Sequence, residues 1–259
     1  MRSLLIIVFI VLFSSSSLTA SEDWGKTGHR TMGEIATKHL SKKAAKKISA
    51  LLGGESLAFV STYADEIRSD DAYRKYAPWH YVSFPFGARY EDTPKNKKGD
   101  IIVGIQNCID VLKDATSSQK DKEFYLRMLV HFIGDLHMPL HVGLKEDRGG
   151  NSFKVKWFGK QTNLHSVWDT KIIEGYEMSY TELTSNVDAL SKKEIQTIQS
   201  GAVTDWMYES RTLCEDVYAN TTQGDNLGYK YMYRYVNVSR KQLQKAGLRL
   251  ASILNEIYG

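Results

Sequence analysis

Apolar residues recur every third or fourth position along much of the chain, the period of helices with one buried face. Ser41 opens a stretch that carries Ala44, Ala45, Ile48, Leu51 and Leu52 and is closed by Gly53-Gly54. A second stretch starts at Ile101 and places Ile102, Ile105, Ile109 and Leu112 on one stripe. From Glu123 to Leu136 the stripe is Leu126, Leu129, Val130 and Ile133. Ser191 to Trp206 has the same period, as does Ser239 to Ile257 through Leu243, Leu248, Leu250, Ile253 and Leu254. Between Tyr76 and Gly99 the pattern dissolves into aromatics with Pro78, Pro85 and Pro94, which predicts loop. Phe153 to Phe158 alternates weakly and is compatible with a strand of one short β-hairpin. The expected architecture is all-α, a single compact helical domain with long loops.

The first residues follow a different pattern. Arg2, the apolar run Leu4 to Phe13, the serines Ser14 to Ser17 and then Leu18-Thr19-Ala20 read as a signal peptide. A ten-residue apolar run is too short to span a bilayer, which takes about 20 residues. The chain is therefore expected to divide into a leader, residues 1–23, and one domain, residues 24–259. The product is expected to be secreted or periplasmic, without a membrane anchor. The small-residue rule favours cleavage after Ala20; cleavage after Asp23 would instead leave Trp24 at the new terminus. The 42% hydrophobic and 25% charged content of the 259 residues fits a globular protein and excludes a collagen, a disordered tail and a multi-span membrane protein. A net charge of +4 permits an anionic partner without demanding one. The two cysteines, Cys108 and Cys214, cannot form a small-domain disulfide framework, and their pairing stays open. Asn220-Thr221-Thr222 and Asn237-Val238-Ser239 are sequons for N-glycosylation.

Chemistry concentrates in His131-Phe-Ile-Gly-Asp135-Leu-His137-Met-Pro-Leu-His141. His131 and Asp135 share one helix face, and Pro139 should end that helix just before His141. One histidine at a helix end is ordinary and solvated. Three with a carboxylate in eleven residues form the nitrogen and oxygen donor set that zinc prefers. His165 and Asp169 repeat the four-residue spacing; His29, Asp65 and His80 lie elsewhere in aromatic or glycine-rich contexts. His39 has no such context and is expected on a helix surface, while His137 points away from His131 and is at most a supporting residue.

Trp24-Gly-x-x-Gly-His29, Ala64-Asp65 with Arg68, Trp79-His80-Tyr81, the His131 to His141 segment, Asp147-x-Gly-Gly-Asn151 and Asn163-Leu-His165-Ser-x-Trp-Asp169 together resemble the S1/P1 nuclease family. The match runs in order and spans the domain. The resemblance implies a trinuclear zinc site with three Zn2+ on an all-α fold. Asp65, His80, His131 and Asp135 would hold one ion. His141, His165 and Asp169 would hold a second. His29, Asp135 and the main-chain amine and carbonyl of Trp24 would hold the third, with Asp135 bridging.

The implied activity is endonucleolytic hydrolysis of single-stranded DNA and RNA to 5′-phosphates, with 3′-nucleotides as further substrates and no stable protein partner. Asp65, Arg68 and Asp135 carry the implied chemistry. Arg68 would grip the phosphate, its alternative being a structural salt bridge. Tyr81 would stack on a base, its alternative being core packing. Asn151 would contact base or backbone. Ser83 departs from the acidic residue some members carry there. A zinc-dependent phospholipase C shares the trinuclear pattern and is the nearest rival; a non-catalytic exported zinc-binding protein is the other.

Overall fold

The computed structural model describes residues 25–259; the expected leader and Trp24 lie outside the described residues. Short polar side chains start the main helices. Ser41 accepts from the Ala44 N–H ahead of helix Lys42–Leu51. Asp100 accepts from the N–H groups of Ile102 and Val103 ahead of Ile101–Lys113, and Ser118 accepts from Asp121 ahead of Gln119–His137. Each such cap satisfies a donor the helix leaves open and contributes about 1 kcal/mol.

Helix Gln119–His137 is the centre of the molecule. Every residue from Met128 to His137 is buried, so its last turns are enclosed on all sides. Helix Ile101–Lys113 packs against it, as do the first helix, Lys26–Lys38, and the last, Tyr229–Tyr258. One contiguous core runs from Met32 to Leu254. The only sheet among the described residues is small. Strand β1 (Lys154–Trp157) pairs antiparallel with β2 (Lys160–Asn163), Trp157 opposite Lys160, and parallel with β3 (Asn226–Leu227). The fold is thus mostly helical, as expected, with one hairpin and an added two-residue strand.

Several boundaries moved. The expected helix Ser191 to Trp206 is two, Lys192–Gln199 and Val203–Ala219, parted at Gly201, whose φ of +88° no helix accommodates. The last helix begins at Tyr229, well before Ser239; its first turns bury Tyr231, Tyr235 and Val236 and expose Tyr229 and Tyr233, so aromatic residues more than aliphatic ones carry the stripe there. The expected loop starts inside the 3-10 segment Asp71–His80, in which the aromatic residues Tyr76 and Trp79 turn into the core. Cys108 and Cys214 are both buried free thiols. Asn220 and Asn237 are exposed, although Ser239 of the second sequon is buried. No helix among the described residues is long and apolar enough to cross a membrane.

Candidate metal centre and cleft

The central helix supplies the floor of the site. His131 and Asp135 lie one turn apart with Nε2 3.1 Å from Oδ2. The 3-10 segment ends at His80, whose Nδ1 comes 2.9 Å from the same Asp135 oxygen. Asp65, on the short helix Tyr63–Glu66, brings Oδ1 to 3.3 Å from His131 Nε2. The other oxygen of Asp135 faces elsewhere, 3.3 Å from Nε2 of His29. His29 stacks flat on His131, with ring centroids 4.0 Å apart and 11° between planes. The stack needs Gly134, because a Cβ there would sit 2.7 Å from His29 Nδ1.

A second assembly adjoins the first. The helix ends at His137, and Pro139–Val142 forms a tight turn that carries His141. His165 sits in helical turn Leu164–Ser166, followed by a wider π-type turn, Val167–Lys171, bearing Asp169. The Nε2 atoms of His141 and His165 lie 3.7 and 3.8 Å from the two oxygens of Asp169. Three groups result whose donor atoms lie within 4.8 Å of one another: His29, His131 and Asp135; Asp65, His80 and His131; His141, His165 and Asp169.

Backbone carbonyls set the tautomers. Nδ1 of His131 is 2.8 Å from the Ser61 carbonyl, that of His141 is 2.7 Å from the His80 carbonyl, and that of His165 is 2.7 Å from the Gly149 carbonyl. A carbonyl only accepts, so each Nδ1 carries a hydrogen and each Nε2 faces the cluster as the position open to a second proton or to a metal. The Gly149 carbonyl is itself held in place. Asp147 accepts from the Gly150 N–H at 2.9 Å and from the Tyr218 hydroxyl at 2.6 Å, and Gly149 has a φ of +61°.

Charge follows the same logic. Burial lowers His29, and burial with the neighbouring His141 takes His165 down to about 3, so both are neutral at pH 7. Burial also acts against protonation of His131, but Asp135 and Asp65 overrule it and raise its pKa well above the ordinary value. Burial resists ionisation of Asp135, yet His131 and His141 hold it well below the usual carboxylate range. A field that draws a proton to this spot draws any cation. Converging lone pairs and buried carboxylates of this kind fit a first-row divalent metal such as zinc.

Above these groups lies a cleft of about 360 Å3. His80, His141 and His165 line its floor, and Arg68, Tyr81 and Asn151 line its walls. Arg68 points a guanidinium nitrogen 3.5 Å from Asp65 Oδ1 and borders the open space as well, so the ion pair and the cleft-facing position coexist. Tyr81 is 46% exposed and lies outside the core. Asn151 donates to the Arg148 carbonyl at 3.0 Å. Ser83 also reaches the cleft.

The expected ligand Trp24 lies outside the described residues; its neighbour Gly25 donates its N–H to the Asp169 carbonyl at 2.6 Å. His39 is exposed, as expected. His137 is buried on the far side of the helix and touches Arg249 instead.

Sequence reasoning missed the cationic side chains Lys145 and Arg148, which line the cleft. Their signal was the Asp147-to-Asn151 turn, which contains Arg148 and follows Lys145 closely. It also missed Arg211, a buried residue that donates to the carbonyls of Val142, Gly143 and Phe84 and so ties the His141 turn to the loop after His80. No local pattern announced it.

Fold and site together define a helical protein with buried imidazoles and carboxylates set to bind cations beneath an open, positively walled cleft. The family model described as S1/P1 Nuclease matches residues 24–259, and the chain belongs to that family. Membership places it among enzymes that hydrolyse phosphodiester bonds. It is 32% identical to Endonuclease 2 of Arabidopsis thaliana over 286 residues, covering 99% of this chain and 97% of the relative. It is 33% identical to Endonuclease 4 of the same plant, covering 96% and 93%, and 30% identical to Nuclease P1 of Penicillium citrinum, covering 91% and 98%.

Proposed function

We propose that this chain is a zinc-dependent endonuclease that cleaves single-stranded DNA and RNA to 5′-phosphate products and also removes the phosphate of 3′-nucleotides. The observation that carries the reading is the set of three adjoining His/Asp groups, two of which reach the cleft floor through His80, His141 and His165. His80, Asp65, His131 and Asp135 hold one ion; His141, His165 and Asp169 hold a second. His29 and Asp135, with the main-chain amine and carbonyl of Trp24, hold the third. The two Asp135 oxygens, turned toward His80 and toward His29, support the bridging role. When bound, zinc supplies Lewis acidity and brings the pKa of water toward neutrality.

The chain's own residues do the rest. Arg68 grips the substrate phosphate through its planar fork, and Asp65 both ligates and orients that guanidinium. Tyr81 stacks on an unpaired base, which an aromatic in a cleft does without regard to sequence. Single strands are preferred because their bases are free to stack. Asn151 contacts the base or backbone beside the Gly149-Gly150 turn. An exposed aromatic at the mouth favours a nucleobase over a phospholipid headgroup. Export follows removal of the leader within residues 1–23, with the mature terminus at Ser21 or Trp24.

The test is metal analysis of the purified protein alongside hydrolysis of a single-stranded oligonucleotide, before and after chelation. About three zinc ions per chain, 5′-phosphate ends, and activity lost to the chelator and regained with zinc are expected. Metal-free protein that cleaves at the same rate would overturn the proposal.

A further inference from the structure

The cleft over the metal-binding groups does not end at Tyr81. A second cavity of about 290 Å3 adjoins it and shares Pro78, Tyr81, Ser83 and Lys145 with the first. Tyr81 is therefore the partition between two lobes, exposed between them rather than the end wall of one. Each lobe is near the lower end of the range for small-molecule sites, about 300–1,000 Å3, so each is suited to a single nucleotide unit.

The chemistry of the second lobe favours an anion. Its one lining carboxylate among the described residues, Asp100, is already satisfied. It accepts from the Tyr90 hydroxyl at 2.9 Å and from the N–H groups of Ile102 and Val103 at 3.1 and 3.3 Å, and it is buried. The rim is cationic. Lys95 donates to the Tyr90 carbonyl and lies over the Tyr90 ring, which fixes the ammonium at the lobe's edge; an ammonium has three donors, so that bond does not exhaust it. Lys145, exposed, stands where the two lobes meet. Lys97 and Lys98 follow Lys95 in the same exposed segment. An ammonium is a point charge that suits a phosphate without demanding a fixed geometry.

We propose that this lobe is a second nucleotide subsite, which receives the residue next to the scissile phosphodiester and holds its flanking phosphate between Lys145 and Lys95. The inference rests on the nuclease reading above and extends it. The enzyme would then favour a polynucleotide over the smallest cleavable unit, because only a longer chain carries a flanking phosphate.

The experiment compares a dinucleoside monophosphate, which has one phosphate, with a single-stranded pentanucleotide. Both are assayed with the zinc-loaded wild type, Lys95→Ala, Lys145→Ala and the double variant, with melting curves to confirm folding and Lys95→Arg with Lys145→Arg as a charge-retaining control. For the double alanine variant, the ratio of kcat/KM for the pentanucleotide to that for the dinucleoside monophosphate should fall about tenfold, chiefly through KM. The arginine variant should recover most of it. The salt dependence of pentanucleotide KM should become shallower, by about 0.7 in log–log slope for each lost phosphate contact. Equal losses on both substrates, or no loss on either, would overturn the subsite. A wild type that cleaves neither substrate would overturn the nuclease reading and the subsite with it.

Discussion

Asp135 accepts the approach of His80 on one carboxylate oxygen, at 2.9 Å, while its other oxygen faces His29 from 3.3 Å, and all three side chains are buried. Burying a carboxylate among imidazoles is costly unless positive charge compensates. The Asp135→Asn variant keeps the shape and removes the charge. It should lose at least a hundredfold in kcat on a single-stranded oligonucleotide and bind fewer zinc ions than wild type, with circular dichroism unchanged. Near-normal turnover would remove Asp135 from its bridging role.

Tyr81 is placed differently. Its ring is 46% exposed in the cleft and lies outside the contiguous core. Tyr81→Ala should raise KM for a single-stranded oligonucleotide about tenfold, in line with stacking of about 1–3 kcal/mol per base. Zinc content should not change; loss of zinc would make Tyr81 a structural residue.

The contrast between these residues shows what the sequence could and could not convey. The His131–Asp135 pair was legible because four-residue spacing on a helix fixes a shared face without any tertiary information. The helices were legible from their stripes for the same reason, and Gly201 split one of them because a stripe says nothing of backbone handedness. The convergence of His29, Asp65 and His80 on that pair came only through family resemblance, since partners far apart in sequence leave no local period. Arg211 and the Arg249–His137 contact were invisible: each bond joins segments more than sixty residues apart and depends on where helices cross. The paired strand β3, two residues long, was beyond any periodicity argument.

Gly134 offers a test in which helix propensity and site geometry have opposite signs. In the middle of a helix, Gly→Ala ordinarily stabilises by about 0.5–1 kcal/mol. Here the new Cβ would lie 2.7 Å from His29 Nδ1. Gly134→Ala should therefore displace His29 from its stack on His131, lower zinc content and reduce activity at least tenfold, with no gain in Tm. A variant more stable than wild type with full zinc content would show that His29 has slack the geometry does not suggest.

His137 belongs to the other face of the same helix. Its Nδ1 donates to the Ile133 carbonyl at 2.8 Å, leaving Nε2 to accept from the Arg249 guanidinium at 2.9 Å. Arg249 is 1% exposed and also donates to Ile198 and Glu209, so His137 completes its coordination. His137→Ala leaves a buried charged donor unmatched and should cost about 3 kcal/mol in chemical denaturation. His137→Gln, which keeps an acceptor, should cost less than half as much. Equal penalties would mean that packing volume, and not the hydrogen bond, is what His137 provides.

The same residue governs stability at low pH. Burial, with Arg249 adding to it, takes His137 down to about 3, against an ordinary value of 6.5. His165 is lowered to about 3 as well, by burial and His141. Well above pH 6.5 neither residue binds a proton in either state, and they contribute no slope. Between 6.5 and about 3 the unfolded chain takes up protons that the folded chain refuses, so stability falls as pH falls. Asp135, lowered in the folded state, adds in the same direction as pH drops through its folded value, while the raised His131 acts oppositely, losing stability as pH rises through its own. Melting the zinc-free protein from pH 7 to pH 4 should give a falling Tm. In His137→Gln the slope of unfolding free energy against pH should be shallower by about one proton across that window. An identical slope in wild type and variant would mean that His137 titrates as freely in the folded protein as in the unfolded chain.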